Sequence, residues 1–190
     1  MKKFLFLMTV LCVLGTTAVA QDVFRKGNVV GNVQVGIGAY KNYGVGFPIS
    51  ASVDVGAFDR IINGENGSIG LGGYVGFASY NNTIIENALV YDNSATSFVI
   101  GLRGTFHYQL VDNLDTYAGF MAGVNRLWTN NSITSQLTGI VVDDKTTYNS
   151  TRFASAFFVG ARYYFTNSFG VVAEAGYGFA NCSIGITFKF

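Results

Sequence analysis

From Cys182 to Phe190 every second residue is apolar: Cys182, Ile184, Ile186, Phe188 and Phe190 share one face, and Ser183, Gly185, Thr187 and Lys189 the other. A two-residue period marks a β-strand with one face in apolar surroundings. The pattern recurs upstream. Phe169, Val171, Ala173, Ala175, Tyr177 and Phe179 alternate with Gly170, Val172, Glu174, Gly176, Gly178 and Ala180. Phe153, Phe157, Val159, Ala161, Tyr163 and Phe165 stand against Arg152, Ala154, Ala156, Gly160, Arg162 and Tyr164. Further alternating runs begin near Val29, Phe47, Ile69 and Ser97. A run over 115–128 is ambiguous in facing, because Phe120, Ala122 and Val124 oppose Tyr117 and Met121. Each run has about the 9–11 residues of a tilted membrane strand, and an even number of strands closes an up-and-down barrel. The expected fold is all-β, an eight-stranded antiparallel up-and-down transmembrane β-barrel.

Two barrels fit eight alternating strands, and polarity separates them. A soluble barrel of the lipocalin or streptavidin kind holds its apolar face inside. Here the ionisable strand residues Asp54, Arg103, Arg162, Glu174 and Lys189 share a face with glycines and serines, which suit a crowded interior, while bulky Val, Ile, Leu and Phe suit lipid. Arg103 on the lipid side would cost about 2–4 kcal/mol near the bilayer midplane. The apolar face is therefore read as outward. Aromatics near strand ends, among them Tyr40, Phe47, Tyr108, Trp128, Tyr163, Phe165 and Phe169, fit interfacial girdles.

Composition agrees with that polarity. Only 12% of the 190 residues are charged, 15% are aromatic and 24 are glycine. The opening carries Lys2 and Lys3, an apolar run from Phe4 to Leu14 and the small-x-small pattern Ala18-Val19-Ala20, which predicts a secretory leader over 1–20 cleaved before Gln21. That run is shorter than the ~20 residues of a spanning helix. The mature region 21–190 then forms one barrel domain. Without the two leader lysines, ten of the 12 basic residues remain against 11 acidic ones, so bulk charge recruits no nucleic acid. Cys182 is the only cysteine after the leader, which leaves no internal disulfide.

The chain resembles the small outer-membrane barrels grouped with the membrane domain of OmpA, with OmpX and with opacity-type surface antigens. The leader, the eight strands, Gly160-Ala161-Arg162-Tyr163-Tyr164-Phe165, Ala173-Glu174-Ala175-Gly176-Tyr177-Gly178 and the closing Gly185-Ile186-Thr187-Phe188-Lys189-Phe190 carry the likeness. The resemblance implies location in the outer membrane of a Gram-negative cell. It also implies contact with outer-membrane lipids and lipopolysaccharide. In that family a terminal aromatic on an alternating strand is read by the barrel-assembly machinery, which assigns Phe190, with Phe188 two residues before it, as the assembly signal.

Positions counted from the turn centres bring Asp54, Arg103, Arg162 and Glu174 toward one interior layer. Arg162 and Glu174 become diagonal neighbours if pairing centres on residue 167. An ion-pair cluster that plugs the lumen is expected, either as a polar core or as a gate for ions. Long polar stretches at 80–95 and 129–151 are expected as extracellular loops. Ile84-Ile85 and Ile140-Val141-Val142 within them suggest strand pairing continued above the membrane, to pack the hairpins together or to meet a protein partner. His107 is the only histidine, predicted inside the barrel on the periplasmic side, and His107-Tyr108-Gln109 lacks the His-x-Ser pattern of outer-membrane deacylases. No catalysis, cofactor or metal site is expected. A surface-interaction barrel is the leading reading, a narrow conduit for ions or small apolar solutes the alternative, and an outer-leaflet lipid enzyme a remote third.

Overall fold

The computed structural model describes residues 23–38, 45–62, 66–86, 89–135 and 141–190. The leader, its cleavage site and Tyr40 lie outside these residues. Eight long strands follow in chain order: β1 Val29–Ile37, β2 Ile49–Phe58, β3 Ser68–Glu86, β4 Leu89–Val111, β5 Leu114–Ser135, β6 Val141–Tyr164, β7 Phe169–Tyr177 and β8 Cys182–Lys189. A two-residue piece, Val45–Gly46, precedes β2 and pairs with Asn81 and Tyr80 of β3. Each strand is antiparallel to its sequence neighbours. β1 pairs with β8 from Val30↔Lys189 to Ile37↔Cys182, so the sheet closes and no edge is left at membrane height.

The walls have the polarity expected of a membrane barrel. Leu102 is 77% exposed, Phe153 75%, Phe157 66% and Ile184 63%, whereas Asp54 and Arg162 are wholly buried. The fifth strand, ambiguous in sequence, resolves the same way. Tyr117 and Met121 point inward, and Phe120 and Val124 outward. Rings near the lower turns touch one another along the outer wall, with centroids 5.5 Å apart for Tyr163 and Phe165 and 5.4 Å for Phe169 and Phe188. Asn113 turns the β4–β5 hairpin in the left-handed region, at φ 62°, which its short polar side chain tolerates.

Two expectations need correction. Within the stretches 80–95 and 129–151, expected as extracellular loops, the described residues are strand, extending the pairing that Ile84-Ile85 and Ile140-Val141-Val142 suggest. Pairing between β3 and β4 runs unbroken from Ser68↔His107 to Glu86↔Leu89. β5 and β6 stay paired through Thr129↔Tyr148 and Asn131↔Thr146, with bulges only near Ile133. Their polarity marks the passage from lipid to water; a hairpin already zipped from the membrane upward keeps pairing its backbone groups. Phe179, assigned to the lipid face by parity, is buried instead. β7 ends at Tyr177, and Gly178, at φ 143°, turns the chain so that Phe179 swings inward. Above the ion layer Phe179 joins Ala78, Tyr80, Ala95, Val99 and Met121 in an apolar core, beside a cavity of about 320 Å³ that Val99, Met121, Asn125, Leu127 and Phe179 help to line. Eight strands enclose about enough space for side chains to fill, and the buried part of the interior packs like a soluble core.

Strand lengths are unequal. β1, β7 and β8 end near Ile37, Tyr177 and Cys182, while β3 to β6 rise as a four-stranded sheet beyond the ring. Pairing of β6 with β7 reaches only Phe157↔Tyr177. Above Phe157 that edge of β6 has no strand partner among the described residues.

Candidate functional site

The interior charges meet at mid-height. Asp54 on β2 receives Arg103 of β4, with Nε 3.0 Å from Oδ1, and its other oxygen accepts from Arg162 Nη2 on β6. Arg103 Nη2 donates to Glu174 Oε1 on β7 at 2.8 Å, and Tyr117 Oη donates to the same oxygen at 2.7 Å. Arg162 Nη1 donates to Asp115 Oδ2 at 3.1 Å and its Nε to Asn32 Oδ1 on β1 at 3.1 Å. The four residues singled out from sequence, Asp54, Arg103, Arg162 and Glu174, thus belong to one connected network through Asp54 and Arg103. Arg162 and Glu174 are diagonal in register, as Arg162↔Val172 and Gly160↔Glu174 require. Their ion pairs nevertheless go elsewhere, Arg162 to Asp54 and Asp115, Glu174 to Arg103.

Aromatic faces complete the site. The Arg162 guanidinium carbon lies 4.4 Å from the Tyr117 ring centroid and that of Arg103 lies 4.3 Å from Phe158. Each cation therefore has carboxylates at its edge and a ring at its face, the arrangement a desolvated guanidinium needs. Asp115 and Tyr117 were not singled out in sequence. Asp115 stands directly opposite Arg162 in the β5–β6 register, but it opens the run over 115–128 whose facing the alternation leaves ambiguous, so parity does not place it inside.

Below the ion layer the N-terminal segment tucks into the barrel's mouth. Val23 and Phe24 are 6% and 5% exposed. Val23 N donates to Gln109 Oε1 at 2.8 Å, Ser68 Oγ to Phe24 O at 2.9 Å, and Lys189 Nζ to Val23 O at 3.4 Å. Phe24 stacks on His107 with centroids 3.9 Å apart. Under it His107 Nδ1 lies 2.8 Å from Asp115 Oδ1 and Nε2 2.8 Å from Thr105 Oγ1. Hydroxyl, imidazole and carboxylate therefore follow the order of a nucleophile–base–orienter relay. All three are buried, Asp115 is shared with Arg162, and the adjoining cavity is about 10 Å³, about the room one water needs. No group of three or more potential metal ligands occurs among the described residues.

Phe188 and Phe190 lie on the outer face, 38% and 81% exposed, and Phe190 exchanges backbone hydrogen bonds with Val29 across the closing seam. The side chains of Val141 to Asp144 are outside the described residues. Ile84 and Ile85 are exposed, at 46% and 61%.

No protein-family model matches the chain, and no curated protein matches it in sequence. Solved structures with a similar fold include Ail, the attachment invasion locus protein of Yersinia pestis, at 10% identity over 87% of this chain and 99% of that one, with a TM-score of 0.49. The N-terminal β-barrel domain of Pseudomonas aeruginosa OprF is similar at 17% identity, over 87% and 98% of the two chains, with a TM-score of 0.43. Neisserial surface protein A is similar at 16% identity, over 85% and 93%, with a TM-score of 0.45. The polarity of the chain's own walls says what kind of barrel it is. Eight antiparallel strands closed into a ring, ion-paired within and apolar without, make this chain a small transmembrane β-barrel, the architecture of the outer-membrane barrels to which it is similar.

Proposed function

We propose that this protein is an integral outer-membrane barrel whose lumen is plugged and whose task is carried by the sheet that rises above the membrane. The observation that carries the reading is the ion network itself. It links walls on opposite sides of the ring through Asp54, Arg103, Arg162, Asp115 and Glu174, with Phe24 beneath it and the apolar core around Met121 and Phe179 above. Any path for an ion would have to separate desolvated partners, at about 3–5 kcal/mol for each one stranded. The rising hairpins supply the interaction surface, and the unpartnered β6 edge above Phe157 offers backbone groups to an extended segment of another protein.

The reading is non-enzymatic. The Thr105–His107–Asp115 relay lies under Phe24 with no room for a substrate. Outer-membrane lipids surround the barrel, and assembly through Phe190 with the barrel-assembly machinery follows from the family resemblance. Two measurements test the proposal. Planar bilayers containing the folded protein should show no stable conductance steps, and steps that vanish on mutation inside the lumen would overturn the plugged reading. Replacing 129–151 by a short turn should leave a folded barrel that has lost surface adhesion; unchanged adhesion would overturn the interaction role.

A further inference from the structure

Above the ion layer the barrel holds a cavity of about 320 Å³, within the range of small-molecule sites. Well-packed interiors leave few voids larger than a water molecule, so a space of this size is a feature of the fold. Met121 and Phe179 form its floor, since both also line a smaller cavity, of about 40 Å³, that reaches Arg103 and Glu174. Val99 and Leu127, on β4 and β5, form the apolar far wall. The near side is open where the barrel wall is incomplete. β6 is paired with β7 only as far as Phe157↔Tyr177, and the lining passes from Ser155 across to Gly178 and Asn181. Just below, a Cβ on Gly178 would lie 2.4 Å from the Cβ of Ala156, so the turn after β7 presses against β6 and the gap closes downward.

Arg152 stands at this mouth, in register with Asn125 across the β5–β6 pair. Among the described residues no carboxylate pairs with it. Asp144 and Asp143 stand eight and nine residues higher on the same strand, about 26–30 Å away at the rise of a β-strand. A guanidinium without a protein carboxylate, at the mouth of an apolar pocket, suits a ligand with an anionic head and an apolar tail. The height of the mouth says where such a molecule comes from. The row of Asn125 and Arg152 lies between the apolar outer row of Val75, Ile100, Val124 and Phe153 and the row of Arg126 and Thr151, at the boundary between lipid and water. We propose that the cavity binds one single-chain carboxylate of the fatty-acid kind, drawn from the surrounding membrane through the gap beside β7. Its tail lies against Met121, Phe179, Val99 and Leu127, and its head pairs with Arg152. The inference rests on the membrane orientation proposed above and adds to the plugged barrel a blind ligand pocket over the plug.

The test uses the full mature chain in phosphatidylcholine nanodiscs with a dansyl-labelled undecanoic acid as probe, and reads its emission in excess of that from empty discs. The excess should saturate at one probe per barrel and be displaced by dodecanoate but not by dodecyltrimethylammonium. Arg152→Gln should weaken binding about tenfold, as the loss of a hydrogen bond to a charged group implies. Arg126→Gln removes a cation one position higher in register but on the outer wall, and should bind as the parent does. Ala154→Phe puts a ring into the cavity and should abolish saturable binding in a barrel that still shifts its gel mobility on heating. Binding that Arg152→Gln leaves unchanged, that Arg126→Gln weakens as much, or that the ammonium displaces equally well overturns the inference. A heat-modifiable barrel that binds no probe refutes this site alone, whereas a chain that enters no disc refutes the membrane reading and this site with it.

Discussion

Asp54 on β2 and Arg162 on β6 are 108 residues apart in sequence and four strands apart in the ring, yet their side chains bond across the centre of the barrel. Since the ring has eight strands, these two walls are diametrically opposed, and the pair acts as a strut. Asp54→Ala leaves Arg162 and Arg103 each short of a carboxylate and should lower unfolding stability by about 3–5 kcal/mol. Urea unfolding in phospholipid vesicles checks this, with exposed Asp112→Asn expected within about 0.5 kcal/mol of the parent.

Adjacent glycines on β3 should respond oppositely to the same added methyl. A Cβ on Gly72 would lie 2.5 Å from Asp54 Oδ1 and 2.2 Å from Val53 O, whereas one on Gly73 meets nothing within 4 Å. Gly72→Ala should destabilise by about 1–3 kcal/mol, because the strut carboxylate and a backbone carbonyl must both shift. Gly73→Ala, on the lipid face, should be neutral or stabilise by up to ~1 kcal/mol through lost unfolded-chain entropy. The same vesicle unfolding assay ranks the two.

The N-terminal segment should contribute to the stability of the barrel's lower end. Phe24→Ala removes a ring buried against His107 and should cost about 3 kcal/mol. Hydrogen exchange should then quicken at Ser68, Gln109 and Lys189, which hold the segment in place. Unchanged exchange at these sites would mean that the segment is not seated there.

Much of this is legible in the sequence, because a strand with lipid on one side and a polar interior on the other writes its facing into every second residue. The lipid-facing row of Ile184, Ile186 and Phe188 and the inward positions of Arg103 and Glu174 are read directly from parity. Parity fails where the chain leaves the strand. Gly178 turns Phe179 from the lipid face into the core, and nothing in the alternation marks where β7 stops. Polar composition also conceals strands above the membrane, since Asn, Ser and Thr occupy both loops and solvated ladders. For that reason 80–95 reads as a loop and pairs as a hairpin. The ion network is half visible: Asp54, Arg103, Arg162 and Glu174 follow from short turns whose centres can be counted, while Asp115 opens the fifth strand, whose facing parity leaves ambiguous. The seating of Val23 and Phe24 leaves no trace in the alternation, because they precede β1.

Depth along the wall gives a further prediction. Leu102, 77% exposed, sits mid-wall on β4, and Leu110, 61% exposed, lies beside the lower turn. Leu102→Arg should cost about 2–4 kcal/mol and Leu110→Arg about 0–1 kcal/mol, the dependence expected when lipid rather than water surrounds the wall. Equal costs would argue for an aqueous exterior.

The most direct test of the central claim, a closed barrel with lipid outside and ion pairs inside, is cell fractionation combined with gel mobility before and after boiling. The protein should be confined to the outer-membrane fraction, and its unheated form should migrate apart from the boiled one. A protein recovered in the soluble fraction, with the same mobility before and after heating, would contradict it.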